Sequence, residues 1–168
     1  MVASVRRVVG RRRGWTTVTD ASDEQRRDRD AIIEVLRRYA AGIDGRDREA
    51  VRELFTPDAI LDYRTTDGPR GPRDEVVDWL LDALAGVTLT QHLLTNHDVE
   101  VDGDTARATT LMFNPLVMAT DDGGASILFF GGRYEDEFVR ADDGWRIRAR
   151  VHVVDWETGP MPGRLRSR

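Results

Sequence analysis

The sequence predicts an α+β fold: a cone-shaped, strongly curved, mostly antiparallel sheet whose concave face is covered by three helices from the N-terminal half. Three observations carry that expectation. Up to Gly86 the apolar residues recur at helical spacing, interrupted by one short strand-like run at 59–63. Beyond Val87, runs 105–119, 125–140 and 145–156 are rich in β-branched and aromatic residues, with turn signals at 102–103, 121–124 and 142–144 between them. Pro115 and the pair Gly131-Gly132 fall inside those runs, where strands bend or bulge.

Taken in order, residues 1–19 carry five arginines and no acid, lack a steady period, and are expected to form a disordered basic tail. Ser22, Asp23, Glu24 and Gln25 make a capping-box pattern. The helix it opens places Ile32, Leu36, Tyr39 and Ile43 on one stripe, widened by Ile33 and Val35. Gly42 and Gly45 bracket the end of that helix, and Asp44 is expected in the break. A second short helix, 46–55, buries Ala50, Val51, Leu54 and Phe55 before Thr56-Pro57 stops it. The strand at 59–63 aligns Ala59, Leu61 and Tyr63 on one face, and 64–72 reads as a loop by its glycines and prolines. A third helix, 73–85, carries Val76, Val77, Leu80, Leu81 and Leu84, with Trp79 expected in the core. The first strand of a four-strand meander begins near Thr88. One domain is expected over 20–157, with a C-terminal tail at 158–168.

Composition excludes several chemistries. There is no Cys, hence no disulfide, thiol nucleophile or thiolate metal site, which fits a cytoplasmic location. All 25 basic residues are arginine, so lysine Schiff-base chemistry and a Walker-type phosphate loop are ruled out. No apolar run is long enough for a membrane span. With a net charge of −5 and a basic start, residues 20–168 are strongly acidic, and nucleic acid is not an expected partner. No histidine pair sits at a spacing suited to a metal, since His97 is five residues from His92 and on the opposite face of a regular strand.

The chemistry centres on residues 88–96. As a strand, that stretch puts His92 on a row with Thr88, Thr90, Leu94 and Asn96. A row of neutral polar groups around one imidazole fits the wall of a semi-polar cavity better than a core or a solvated face. A histidine base needs a partner on its other ring nitrogen, and Asp44 is the candidate, although Asp also suits a turn between two helices. Apolar lining is expected from Met112, Phe113, Leu116, Phe129 and Trp156, and His152 becomes a second acid–base group if a bulge turns it inward. Phe138, Val139, Val153 and Trp156 are candidates for an outer sheet face buried in an assembly.

Tyr39, Asp44, the run 54–59, Asp62-Tyr63, Gln91-His92, Asn96, the run 102–106, Gly132-Arg133-Tyr134 and Gly144-Trp145-Arg146-Ile147 together resemble the SnoaL-like branch of the nuclear-transport-factor-2-like superfamily. In pattern they are similar to scytalone dehydratase, bile-acid 7α-dehydratase and hexachlorocyclohexane dehydrochlorinase. The resemblance implies a cofactor-free lyase or isomerase in which His92 abstracts a proton and Asp44 orients it. It implies a leaving-group or carbonyl contact for Tyr39, a substrate-facing Tyr63, and an anion-binding Arg150. It also implies a small hydrophobic cyclic or carbonyl substrate and a homo-oligomer, dimer or trimer. The pattern departs from the dehydratases at two points: Leu116 stands where scytalone dehydratase keeps a second histidine, and Asn114 where bile-acid 7α-dehydratase keeps a carboxylate. Neither replacement can titrate. The other reading of the chain is a non-catalytic binding or assembly module of the same fold.

Overall fold

The computed structural model describes residues 23–159. The 1–19 segment, the Ser22 cap and all of the 158–168 tail except Thr158 and Gly159 lie outside the described residues. Helix α1 (Asp23–Asp44) buries Ile32, Val35, Leu36, Tyr39, Ala40 and Ile43, the expected stripe at helical spacing. It continues through Gly42 as far as Asp44, with Gly45 in the turn just beyond, so the carboxylate sits on the last helical residue rather than in a break. Gly42 is buried because the next helix crosses there: a Cβ on it would meet Val51 Cγ2 at 2.8 Å. That next helix, α2 (Arg48–Glu53), is capped by Asp47, whose side chain accepts from the Ala50 amide. It is shorter than expected, because Phe55 already belongs to strand β1 (Phe55–Asp62). The segment read as a loop contains a 3-10 turn at Arg64–Thr66 and a short edge strand β2 (Arg70–Pro72). Helix α3 (Arg73–Ala83) follows and runs into a 3-10 turn, Leu84–Gly86.

The remaining strands are β3 (Leu89–Thr90), β4 (Leu93–Asp102), β5 (Thr105–Ala119), β6 (Ala125–Ala141) and β7 (Gly144–Thr158). The sheet order is β2-β1-β7-β6-β5-β3, with β4 also on β5, and every pairing is antiparallel except β1 with β7. On β5 and β6 the even-numbered residues face the helices: Ala106, Ala108, Thr110, Met112, Asn114, Leu116, Leu128, Phe130, Tyr134, Asp136 and Phe138 are all buried. Alternation then sends Phe113 and Phe129 to the outer face, where their rings stack 5.8 Å apart and Phe113 is exposed. Both were expected inside the cavity, and adjacent to inward-facing Asn114 and Phe130 they cannot be there. Phe138 is corrected the other way: it is an inner core residue, not part of an outer face.

Irregularities in the sheet decide which polar groups point inward. In β4 the pairing slips between Thr95 and Asp98, at Asn96, whose φ is +50°. The slip turns His97 to the inner side, where its Nδ1 lies 3.1 Å from the Thr110 hydroxyl, instead of the outer side that regular alternation gives. In β7 the register with β6 shifts between Glu137 and Phe138, which face Ala149 and Ile147 respectively, so Arg148 is the extra residue. Trp145 and Ile147 face inward before the bulge, and Arg150 and His152 after it. A second shift lies at Gly131/Gly132, as the glycines foretell, whereas Pro115 leaves the β5–β6 register intact.

Asp28 ties α1 to the far hairpin. It accepts from Arg140 at 2.9 and 2.8 Å and from the Trp145 indole at 3.0 Å. The Arg140 contact, above all, holds its carboxyl below the usual carboxylate range. The bulge itself offers a stability test. A Cβ on Gly132 would stand 2.1 Å from the Val153 carbonyl oxygen, a backbone atom that cannot swing aside. Gly132→Ala should therefore destabilise the domain by about 2–3 kcal/mol. A thermal melt within 1 °C of the parent protein would show that the bulge relaxes freely.

Candidate active site

The inner face of the sheet, α3 and the Arg64–Thr66 turn enclose a cavity of about 270 Å³ whose wall includes Tyr63, Trp79, Leu84, His92, Met112, Asn114, Leu116, Phe130, Tyr134, His152 and Trp156. The size, at the lower end of small-molecule sites, suits a ligand of one or two rings. The turn is pinned in place by Thr65, whose hydroxyl donates to the His152 carbonyl at 2.6 Å and accepts from the Val154 amide at 3.3 Å.

How His92 comes to meet Asp44 can be followed from Pro115. β3 and β4 hold one register against β5, with Thr90 opposite Leu116 and Leu93 opposite Phe113, so the interrupted pair Gln91 and His92 falls opposite Pro115 and Asn114. The Gln91 amide still donates to the Pro115 carbonyl at 3.3 Å, but proline has no N–H to return. The ladder opens there, and His92 lies in the gap between two strands rather than within one. Its own amide, directed away from β5, donates to Asp44 Oδ2 at 2.9 Å. Its ring Nδ1 lies 2.7 Å from Asp44 Oδ1. One carboxylate thus holds both the backbone and the ring of His92, which fixes the ring's orientation. The His92 side chain is 7 % exposed and that of Asp44 26 %, so the imidazole is largely desolvated while its carboxylate partner keeps some contact with solvent. The turn after Asp44 is anchored by Arg46, at φ +57°, which donates to the Leu84 and Val87 carbonyls on the segment leading into β3.

Nε2, the other ring nitrogen, lies 3.1 Å from the Asn114 amide. One end of that amide faces the Gln91 and Pro115 carbonyls, both at 3.2 Å, and the Thr90 hydroxyl at 2.9 Å. An oxygen there would point at two other oxygens, so that end is the nitrogen and the amide oxygen faces Nε2. An oxygen on Nε2 together with a carboxylate on Nδ1 accommodates the protonated imidazolium. With the amide turned end for end, Nδ2 donates to Nε2 and the neutral base is accommodated. Asn114 cannot titrate, yet it can accompany either state of His92.

Behind the wall lies a buried charge. Arg150 and Asp136 form a bidentate pair at 2.7 and 2.8 Å with no exposed side-chain surface. The guanidinium lies 4.0 Å from the Tyr39 ring centroid and 4.1 Å from that of Tyr134. Burial works against its charge, but Asp136 outweighs burial and holds Arg150 above its ordinary value. Arg150 is therefore an internal cation covered by aromatic rings and does not line the cavity, unlike the anion-binding arginine that the resemblance implied. Tyr39 is also outside the cavity wall. Its hydroxyl shares a 2.6 Å hydrogen bond with that of Tyr63, which does line the cavity. Burial raises the phenols of Tyr63 and Tyr134 well above the usual range, so both remain protonated.

His152 lines the cavity, its ring 5.0 Å from that of Tyr63 and 5.2 Å from that of Tyr134. Burial, followed by the positive charges of Arg150 and His92, lowers its pKa to about 3. Between pH 6.5 and 3 the unfolded chain then binds one proton more than the folded one. The contribution of His152 is fully present above pH 6.5 and is lost as pH falls toward its folded value, at about 1.4 kcal/mol per pH unit. Urea titrations from pH 7 to 5 should show that slope, and His152→Phe should remove it.

Among the sequence candidates, the structure brings His92, Asp44, Asn114, Tyr63, Leu116 and His152 together, with Tyr39 one contact behind. Trp156 stands at the rim, its ring over Gly131 and 6.1 Å from Phe113. Tyr134, Phe130 and Trp79 are wall residues that the sequence reading did not assign to the site. Among the described residues, no cluster of three His, Cys, Asp or Glu side chains could hold a metal ion, and no helix is long and apolar enough to cross a membrane.

A helix-lined cone with a polar pair set into an apolar cavity defines the class of protein, and comparison with known proteins agrees. Residues 24–151 match the model of the SnoaL-like domain, and the chain belongs to that family. The uncharacterized protein Rv2910c of Mycobacterium tuberculosis is 42% identical over 126 residues, 75% of this chain and 84% of the relative. In the solved structures, the Kfla4162 protein of Kribbella flavida superposes with a TM-score of 0.72 at 24% identity, over 79% of this chain and 94% of its own. Hexachlorocyclohexane dehydrochlorinase LinA-type3 of Novosphingobium barchaimii superposes with a TM-score of 0.67 at 18% identity, over 84% of this chain and 96% of its own. The fold is that of the nuclear-transport-factor-2-like proteins.

Proposed function

We propose that the protein is a cofactor-independent lyase or isomerase, with dehydratase-like elimination favoured, acting on a small hydrophobic cyclic or carbonyl compound. The observation that carries this reading is the Asp44–His92 pair, set at 2.7 Å in the wall of an otherwise mostly apolar cavity. Nδ1–H donating to the carboxylate puts the lone pair on Nε2, where a substrate C–H that displaces the Asn114 amide from it can give up its proton. As the imidazolium forms, the Asp44 carboxylate balances its charge and the Asn114 oxygen accepts the new N–H. Tyr63, a protonated phenol backed by Tyr39, supplies a donor to an enolate oxygen or a departing hydroxyl. Arg150 enters this scheme only as a fixed positive charge behind the two tyrosine rings. Superposition on a dehydrochlorinase, whose named reaction is also an elimination, supports the reaction class.

The test is proton NMR in heavy water with 2-tetralone, whose hydrogens beside the carbonyl are acidic, and with β-hydroxy cyclic ketones. Enzyme-dependent exchange or loss of water, absent in His92→Ala, is expected. Absence of both across such a series would leave a binding module of the same fold.

The proposal extends to self-association. The outer sheet face exposes Leu89, Leu93, Phe113 and Ile127, with Phe129 beside them, an apolar area that a second copy would cover. Sedimentation velocity should give a dimer or trimer, and Phe113→Asp should shift it to monomer.

A further inference from the structure

We propose that His152 is a further polar contact of the cavity, and that the substrate is an uncharged ring compound bearing a hydroxyl or carbonyl oxygen which His152 engages. This rests on the cavity being a substrate site. The argument begins with what His152 lacks. It is 7 % exposed, and neither ring nitrogen has a hydrogen-bond partner. A buried polar group without a partner is destabilising, and a phenylalanine would fill the space between Tyr63 and Tyr134 without that cost. The bulge at Arg148 sets this imidazole in the cavity wall with both nitrogens covered, so the missing partner is one that the cavity receives from outside and that the ring turns to meet.

The chemistry of that partner follows from the imidazole. A neutral ring offers one N–H donor and one lone pair, which suit a hydroxyl or a carbonyl. It offers no charge to a carboxylate or phosphate. Asp67 and Glu157, on the same wall, add negative charge that disfavours an anion, while Asp155 beside them is bound by Arg133. Apart from Thr65, Thr66, His92 and Asn114, the rest of the wall is aromatic and aliphatic. His92 and His152 therefore bracket a neutral oxygenated ring, His92 to move a proton and His152 to fix the oxygen function.

Calorimetric binding of three ligands on one skeleton tests this: indane, 2-indanol and indane-2-carboxylate. The parent protein should bind 2-indanol about 10-fold more tightly than indane, and the carboxylate at least about 10-fold more weakly than 2-indanol. In His152→Phe the two neutral ligands should bind alike, and the melting temperature at pH 7 should stay level or rise by about 3 °C. His152→Gln, which keeps a donor and an acceptor, should restore part of the preference for 2-indanol. The inference is overturned if His152→Phe keeps that preference, if the carboxylate binds as well as the alcohol, or if the parent protein binds none of the three at millimolar concentration. Since binding is read without turnover, a hydroxyl preference with no hydrogen exchange would sink the catalytic reading and leave this one standing.

Discussion

Asp44→Asn should lower proton abstraction by about a thousandfold while leaving the fold within about 1 kcal/mol of its parent. The size of the effect follows from the two hydrogen bonds that Asp44 accepts. Oδ2 takes the His92 amide and Oδ1 takes ring Nδ1–H. Asparagine has one oxygen and one NH₂. If its oxygen stays on the backbone amide, its nitrogen faces Nδ1 and donates to it. The imidazole must then carry its proton on Nε2, the nitrogen that should receive one. The base is still present but in the wrong tautomer. Turning the asparagine round instead sets its NH₂ against the backbone N–H, two donors face to face. Hydrogen exchange into 2-tetralone, measured beside the thermal melt, separates the tautomer effect from unfolding. A rate within threefold of the parent would mean that Asp44 only holds the backbone, as a turn residue would.

Much of this site could be read from the chain because its key residues lie near strong local signals. Asp44 ends a well-formed amphipathic helix and His92 lies in a strand-forming stretch, so each could be placed without the other. Why they meet was less legible. The His92 amide meets Asp44 because, with the Gln91 amide on β5, alternation points the next N–H away from the sheet, and that appears only once register is known. Phe113 and Phe129 show a different failure. Both are large and apolar, and hydrophobicity alone put them inside. Alternation was the better guide, because Phe113, next to Asn114 and at odd parity, cannot face the cavity together with Asn114 and Leu116. The same parity carried across the 121–124 turn would have placed Phe130 and Tyr134 on the wall. His97, Arg150 and His152 are set by bulges, each of which changes parity by one residue, and no sequence signal marks the bulge at Arg148. The glycine pair at 131–132 was such a signal, and that shift was anticipated.

Removing Asp136 should be the most damaging single change to stability, since it leaves Arg150 charged, buried and unpaired. The expected loss for Asp136→Ala is about 3–5 kcal/mol. Against a typical total of about 5–15 kcal/mol, that would lower the melting temperature by roughly 10–15 °C or prevent folding. Nothing nearby can take over the charge. Tyr39 and Tyr134 meet the guanidinium through their ring faces, and Nη1 has no partner even in the intact protein. The loss comes from stranding a charge, not from the strength of the pair, and a second variant separates these causes. Asp136→Leu combined with Arg150→Met removes both charges and fills the space, so it should recover most of the stability. If the double variant is no better than Asp136→Ala, the packing of Asp136 rather than the stranded cation is responsible. Asp136→Ala at parental stability would mean that Arg150 finds water or another anion. The double variant also bears on the site. Its Tyr39–Tyr63 hydroxyl pair would keep its packing but lose the cation beneath it, so hydrogen exchange should slow while 2-indanol binding holds.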